Sequence, residues 1–316
     1  SFSPEGEERW KALLDSGDGS SLDQQSFGVH FTQTGHVVTV TVEGRLLLMD
    51  RLTGNIIIDL DLKEAFGFVS PTSSLPEGID VVSFFPESSI LDLEDAFGGR
   101  DGANRTLGNF LGVSGNFTDN TVGISIRDEI YIQGGGPTEA DGSIIQLLVS
   151  GSGDEVEIEK GWYVLAAGGS AASPSISRNG KYMVMSDGAS SGSALSTNQE
   201  PAYVILVDVE ACNANTDNEP EQERCGMIKQ VELERGSMSG APPIADDGTV
   251  YYWESGLDFA NFYDNGDLFS FGPEQAKRSV ALSDKRDWTS VMTVSNNHLI
   301  GTTSKYTETD QMLMTN

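Results

Sequence analysis

Three histidines, His30, His36 and His298, are the first residues to weigh for chemistry. Imidazole titrates near neutral pH and ligates metals, so a shared set could run acid/base catalysis or hold a metal ion. His36 and His298 occupy comparable places at strand starts, and His30 lies six residues before His36. No His-x-x-x-His or His-Glu-x-x-His spacing joins them, and scattered strand-end histidines are the plainer reading. Oxygen-rich loops offer more. In DSGDGSSLD, Asp15, Asp18 and Asp23 stand at i, i+3 and i+8. Calcium takes six to eight oxygen ligands, which such loops supply, although the bidentate Glu of an EF-hand is missing. Asp264-Asn265-Gly266-Asp267 is a second loop of this kind. An ion held at either would serve structure before catalysis. Gly236-Ser237-Met238-Ser239-Gly240 lacks the Gly-x-Ser-x-Gly spacing of a nucleophile elbow and reads as a linker. Gly134-Gly135-Gly136 has neither the spacing nor the helix of a phosphate cradle and reads as a hairpin turn.

The elements that must position these residues are short strands and turns. The chain has 316 residues, 36 of them glycine, and 38% hydrophobic residues, enough for a core. Its formal charge is −29, from 48 acidic against 19 basic residues. Such a surface repels nucleic acid and anionic membranes, whose phosphates need Lys and Arg. It suits a cationic partner, bound divalent cations or a high-salt, marine-type setting. No apolar run approaches the ~18 residues of a membrane span. Cys212 and Cys225 flank a polar, loop-like segment of twelve residues. A pair closing a surface loop reads as a disulfide and implies an exported, extracytoplasmic protein, periplasmic or secreted. Two thiolates with no nearby His make only half a zinc site.

A turn followed by a β-branched or aromatic run recurs along the chain. The copies are GHVVTVT from Gly35, GIDVVSFF from Gly78, DEIYIQG from Asp128, GKYMVMS from Gly180, GTVYYWE from Gly248 and NHLIGTT from Asn297. The intervals are 43, 50, 52, 68 and 49 residues, the longest holding the Cys212–Cys225 loop. Units of about fifty residues are the signature of propeller blades. The expectation is a single all-β domain over 1–316, a β-propeller of six blades. If the Gly78 unit is an insertion, the blades number five, and the range left open runs from five to eight. Residues 65–107 form an irregular or degenerate blade, and 210–227 a disulfide loop insertion. Residues 1–24 supply a closing strand and linker. Closing a ring with strands from both termini removes exposed sheet edges. Glu7–Asp15 also fits a helical turn, with Trp10, Leu13 and Leu14 on one face.

Pro242-Pro243-Ile244-Ala245-Asp246-Asp247-Gly248-Thr249-Val250-Tyr251 resembles the repeat of PQQ-type, quinoprotein-like β-propellers. So does Ser173-Pro174-Ser175-Ile176-Ser177-Arg178-Asn179-Gly180-Lys181-Tyr182. Asp50-Arg51-Leu52-Thr53-Gly54-Asn55 is similar to that family's strand-ending turn. The family's docking Trp is replaced here by Ile58, while Gly6-Glu7-Glu8-Arg9-Trp10 matches the Gly-x-x-x-Trp tail. The resemblance implies the fold. Quinoprotein dehydrogenases of the family are eight-bladed and hold PQQ between aromatic and disulfide surfaces, with Ca²⁺. Six units, no adjacent cysteine pair and no Trp docking set argue against PQQ in this chain. Relatives without catalysis act as scaffolds, such as the outer-membrane assembly lipoprotein.

The leading expectation is therefore a non-enzymatic binding or scaffold protein that presents loops on one face to a protein or small-molecule ligand. Trp253, Phe259, Phe262 and Tyr263 lie in a long connection and are the binding-face candidates, with burial between blades as the plainer alternative. The other expectation is a propeller-class enzyme. It would be a Ca²⁺-dependent hydrolase, lactonase- or glycosidase-like, or a degenerate quinoprotein. Asp128, Asp187, Asp208 and His298 are its candidate catalytic residues.

Overall fold

The computed structural model describes residues 6–11, 26, 28–71, 80–84, 90–92, 94–95, 98–104, 116–118, 121–139, 142–151, 155–166, 173–186, 203–214, 227–233, 241–254, 267–280, 288–295 and 298–304. Short apolar runs bounded by Gly and Asp turns fold as antiparallel hairpins. The first sheet runs β1 (His30–Phe31), β2 (His36–Val40), β3 (Arg45–Asp50), β4 (Ile56–Asp61). The second runs β5 (Gly123–Ile124), β6 (Ile130–Gly135), β7 (Gly142–Ser150), β8 (Glu157–Ala166). The third holds β9 (Ser175–Ile176), β10 (Tyr182–Ser186), β11 (Tyr203–Asp208) and β12 (Met227–Glu232). The fourth holds β13 (Val250–Glu254), β14 (Asp267–Phe271) and β15 (Arg278–Ser279), and the fifth β16 (Trp288–Ser295) and β17 (His298–Ser304). Each sheet pairs its strands in chain order, as a meander. In the fourth, an Ile244–Val250 bridge puts Ile244 where β1, β5 and β9 stand in their sheets.

Five of the six expected units fall on these sheets. The Gly78 unit does not: Val81–Phe84 is a 3-10 turn, and residues 90–92, 94–95 and 100–104 are helical. No described strand pairs with it. Arg100 instead ties the segment together through Asp80 and Glu94, and Asn104 accepts the Val82 N–H. Gly98 and Gly99, at φ 76° and 108°, supply the left-handed backbone that ends a helix. Residues 6–11 contain no helix, and Glu8 forms a single β-bridge, so the helical reading of the N-terminus fails over those residues.

Alternation along the strands divides the core into successive layers. Val38, Val40, Leu46 and Leu48 of the first sheet meet Ile130, Ile132, Ile145 and Leu147 of the second. Tyr131, Ile144 and Val164 on the other face of the second meet Met183, Met185, Ile205 and Val207 of the third. Val184, Val204 and Leu206 on the other face of the third meet Val250, Tyr252 and Phe271 of the fourth. Each such side chain contributes about 1.5–3 kcal/mol by leaving water. Because β2 and β6 are buried on both faces, they show no regular alternation of apolar and polar residues.

Strand direction sorts the connections to two ends. At one, the turn end, lie residues 32–35, 51–55, 125–129, 177–181 and 245–249, with the β11–β12 connection that opens with helix α2 (Val209–Ala214). At the other, the loop end, β6 passes to β7, β10 to β11 and β13 to β14. The passages between sheets also start there, the first through helix α1 (Leu62–Phe66).

Candidate functional site

Four turns at the turn end share one geometry. The N–H of the fourth residue donates to the carbonyl of the first: Gly35 to Thr32, Asp128 to Ser125, Gly180 to Ser177 and Gly248 to Ala245. The fourth residue has positive φ in every case: 93°, 62°, 71° and 83°. Glycine takes that conformation freely, and Asp tolerates it at a cost. Asp128 is thus an aspartate in a glycine's place.

Its side chain gives the reason. The Asp128 carboxylate crosses to the first sheet and accepts the N–H of Gln33, the N–H of Thr34 (3.0 Å) and the Thr34 hydroxyl (2.8 Å). The next junction uses Arg127, which donates to Gly180 O of the third sheet (3.0 Å) while paired with Glu129. The third uses Asn179: its N–H donates to Asp246 Oδ1 (3.0 Å) and its amide to Asp246 O (2.9 Å) in the fourth sheet. Polar bonds therefore join turn to turn across three successive sheet junctions.

Glu129 is the centre of the densest polar cluster among the described residues. It accepts from the Ser125 hydroxyl (2.8 Å), the Tyr131 hydroxyl (2.9 Å), Asn213 Nδ2 (3.1 Å) and Arg127 Nε and Nη2 (both 3.1 Å). Gln146 donates to Tyr131 and to Asn213, and the Trp162 indole also donates to Asn213. Asn213 comes from α2, so the cluster spans the second and third sheets. Burial by itself pushes the Glu129 carboxyl up, but Arg127, Ser125 and Tyr131 together hold it below the ordinary glutamate range. Burial, then the adjacent Glu129 charge, drives the Tyr131 phenol well above the tyrosine range. Glu129 stays an acceptor and Tyr131 a neutral donor near pH 7, so this pair is matched to holding and not to moving protons.

The remaining expected site residues that are described are dispersed. Asp208 ends β11, and its Oδ1 accepts the Ala211 N–H (3.0 Å), capping α2. Buried His36 sits against the Thr34 hydroxyl (3.1 Å). His30 lies in β1, its pKa lowered by burial. His298 opens β17 opposite Ser295, and Trp253 pairs with Leu268 within β13–β14. Cys212 is buried in α2. Asp15, Asp18, Asp23, Asp187, Cys225, Phe259, Phe262 and Tyr263 lie outside the described residues. Among the described residues, no three His, Cys, Asp or Glu side chains form a metal-holding group. Sequence reading missed Glu129, Asn213 and Gln146, though polar residues inside the runs EIYIQ and SIIQLLV were a visible signal.

No protein-family model matches the chain, and no match is found among curated proteins. Among solved structures, the chain is similar to a quinohemoprotein alcohol dehydrogenase from Comamonas testosteroni. That match has 13% identity and a TM-score of 0.42, and covers 86% of this chain and 38% of that one. It is also similar to a quinohemoprotein alcohol dehydrogenase from Pseudomonas putida, with 8% identity and a TM-score of 0.40, covering 88% of this chain and 39% of that one. The chain spans about two-fifths of the length of both.

Proposed function

We propose that the chain is an exported β-propeller that works by binding, presenting its loop end to a protein or small-molecule ligand. Packing supports the propeller reading. Successive sheets bury facing surfaces in chain order, and the short inner strands β1, β5 and β9 are neighbours. The face of the first sheet turned away from the second is buried too, at Val37, Leu47 and Met49, as a closed ring requires. The N-terminal segment also meets the first sheet. Trp10 Nε1 donates to Arg51 O (3.0 Å) at the β3–β4 turn, in keeping with ring closure by that segment.

One observation carries the binding reading. The strand-end carboxylates that a propeller enzyme would turn to substrate, Asp128 and Asp208, are bound to backbone N–H groups of turns and a helix start. The connection holding Phe259, Phe262 and Tyr263 leaves β13 and rejoins β14 at the loop end, where a ligand would meet it. A disulfide between Cys212 and Cys225 would anchor the β11–β12 connection at the opposite end.

The test is saturable capture of a partner from the organism's own extracytoplasmic extract by the immobilised full chain. A variant carrying F259A, F262A and Y263A should lose that capture. Steady turnover of a lactone, a glycoside or, with added PQQ and Ca²⁺, an alcohol would overturn the reading.

A further inference from the structure

Gln133 of β6 has a side-chain amide that is buried, at 4% exposure for the residue, with no hydrogen-bond partner on either Nε2 or Oε1 among the described residues. A buried amide left unpaired costs free energy, and native folds rarely leave one so. This fold satisfies its other buried glutamine in the same sheet: Gln146 donates to Tyr131 and to Asn213. Gln133 shares its row with Ile144 and Val164, both apolar and fully buried, which offer no partner. Two rows on toward the loop end, where side chains return to the same face, β7 and β8 carry Gly142 and Ala166 opposite Gly135. The strand itself continues as Gly134-Gly135-Gly136. The unpaired amide thus lies two rows from the loop end of β6, and only glycine and alanine follow it on its face of the sheet, with Phe117 and Val69 O packed on Gly135.

We propose that Gln133 is the recognition group of a site for a neutral carboxamide, the chemistry of a peptide or N-acetyl group; this rests on the binding reading above. A glutamine amide offers a donor and an acceptor side by side, and another amide matches both at once. A carboxylate would use only the donor, and a chain of charge −29 repels it. A cation would use only the acceptor. The unpaired amide is a cost to the free protein that the bound ligand removes.

The probe is N-acetylglycinamide, titrated into the ¹⁵N-labelled full chain. The Gln133 side-chain NH₂ signal should shift saturably, and the melting temperature should rise with probe concentration. Q133L, close in volume, should melt higher than wild type without probe and show no probe-dependent rise. An unmoved Gln133 signal would overturn the proposal, as would an equal probe effect in Q133L. So would a lower melting temperature of free Q133L, because the amide would then be bonded in the free protein. The wild-type titration stands by itself should Q133L fail to fold. Partner capture that depends on Phe259, Phe262 and Tyr263 is read separately, so a negative titration alongside intact capture removes this site alone.

Discussion

Asp128 binds Thr34 twice, through the backbone N–H at 3.0 Å and the hydroxyl at 2.8 Å, and so fastens the second sheet to the first. It does this from a left-handed conformation that the matching residues Gly35, Gly180 and Gly248 reach without strain. Two opposed effects meet at one residue and can be separated by substitution. D128A loses the charge-assisted bonds and keeps the strain, and should cost about 1.5–3 kcal/mol. D128G loses the same bonds but recovers about 1 kcal/mol of backbone strain. The expected order of melting temperatures is wild type, then D128G, then D128A. A double-mutant cycle with T34V should show a coupling of about 0.5–3 kcal/mol. A D128G protein more stable than wild type by the full ~1 kcal/mol of relieved strain would mean that the lock contributes nothing.

Glu129 should make stability fall on the acid side. Its carboxyl is held below the ordinary glutamate value in the folded protein, so folding favours the charged form. The stabilisation is fully present above the unfolded-state value and is lost as pH falls through the lower folded value. E129Q should be less stable than wild type at pH 7. Below about pH 4.3, the ordinary glutamate value, the gap between them should narrow. Melting curves at pH 7, 5, 4 and 3 read this directly. A gap that stays constant would show that the charge is not what Arg127 and Tyr131 hold.

The N-terminal segment is fastened by an indole laid on a glycine. A Cβ at Gly54 would come within 2.5 Å of the Trp10 ring, and Gly54 sits at φ 76°. G54A should therefore cost at least about 1 kcal/mol in backbone strain and displace Trp10. W10A should free the segment without that strain. Hydrogen exchange over residues 6–11 should quicken in both variants, and global stability should drop further in G54A. Unchanged exchange in both would mean that the segment is held by other contacts.

Oxidation state tests the exported reading. A Cys212–Cys225 bridge would close a loop worth about 3 kcal/mol by chain entropy. Protein purified from its natural compartment should carry no titratable thiol when unfolded, and reduction should lower its melting temperature. Two free thiols there would contradict the bridge and remove the ground on which export is read.

Turn chemistry made much of the fold legible, because Gly and Asp beside short apolar runs act locally. Asp50-Arg51-Leu52-Thr53-Gly54-Asn55 forms the turn its pattern implies, with Asp50 Oδ1 accepting the Leu52 and Thr53 N–H groups and the Thr53 hydroxyl. GIDVVSFF looked like a strand by composition, yet Val81–Phe84 is a 3-10 turn, since strand formation needs a partner that periodicity cannot supply. Asp128 stood among the catalytic candidates because a carboxylate before a strand is ambiguous alone. Aligned with Gly35, Gly180 and Gly248, it marks a glycine position, and its partners lie 94 and 95 residues away in sequence. The Glu129 cluster was hidden for the same reason: Asn213 reaches it from a helix of another sheet, 84 residues on.

Carboxyl-directed cross-linking of the full chain in its native extract, read by mass spectrometry, tests the binding reading most directly. The acidic surface places reporters at both ends. Exposed Glu64 of α1 and Glu139 stand at the loop end, and exposed Asp247 and Glu210 at the turn end. Intermolecular links should gather at Glu64 and Glu139 and vanish in the variant carrying F259A, F262A and Y263A. Links gathered instead at Asp247 and Glu210, and unchanged in that variant, would contradict a partner held at the loop end.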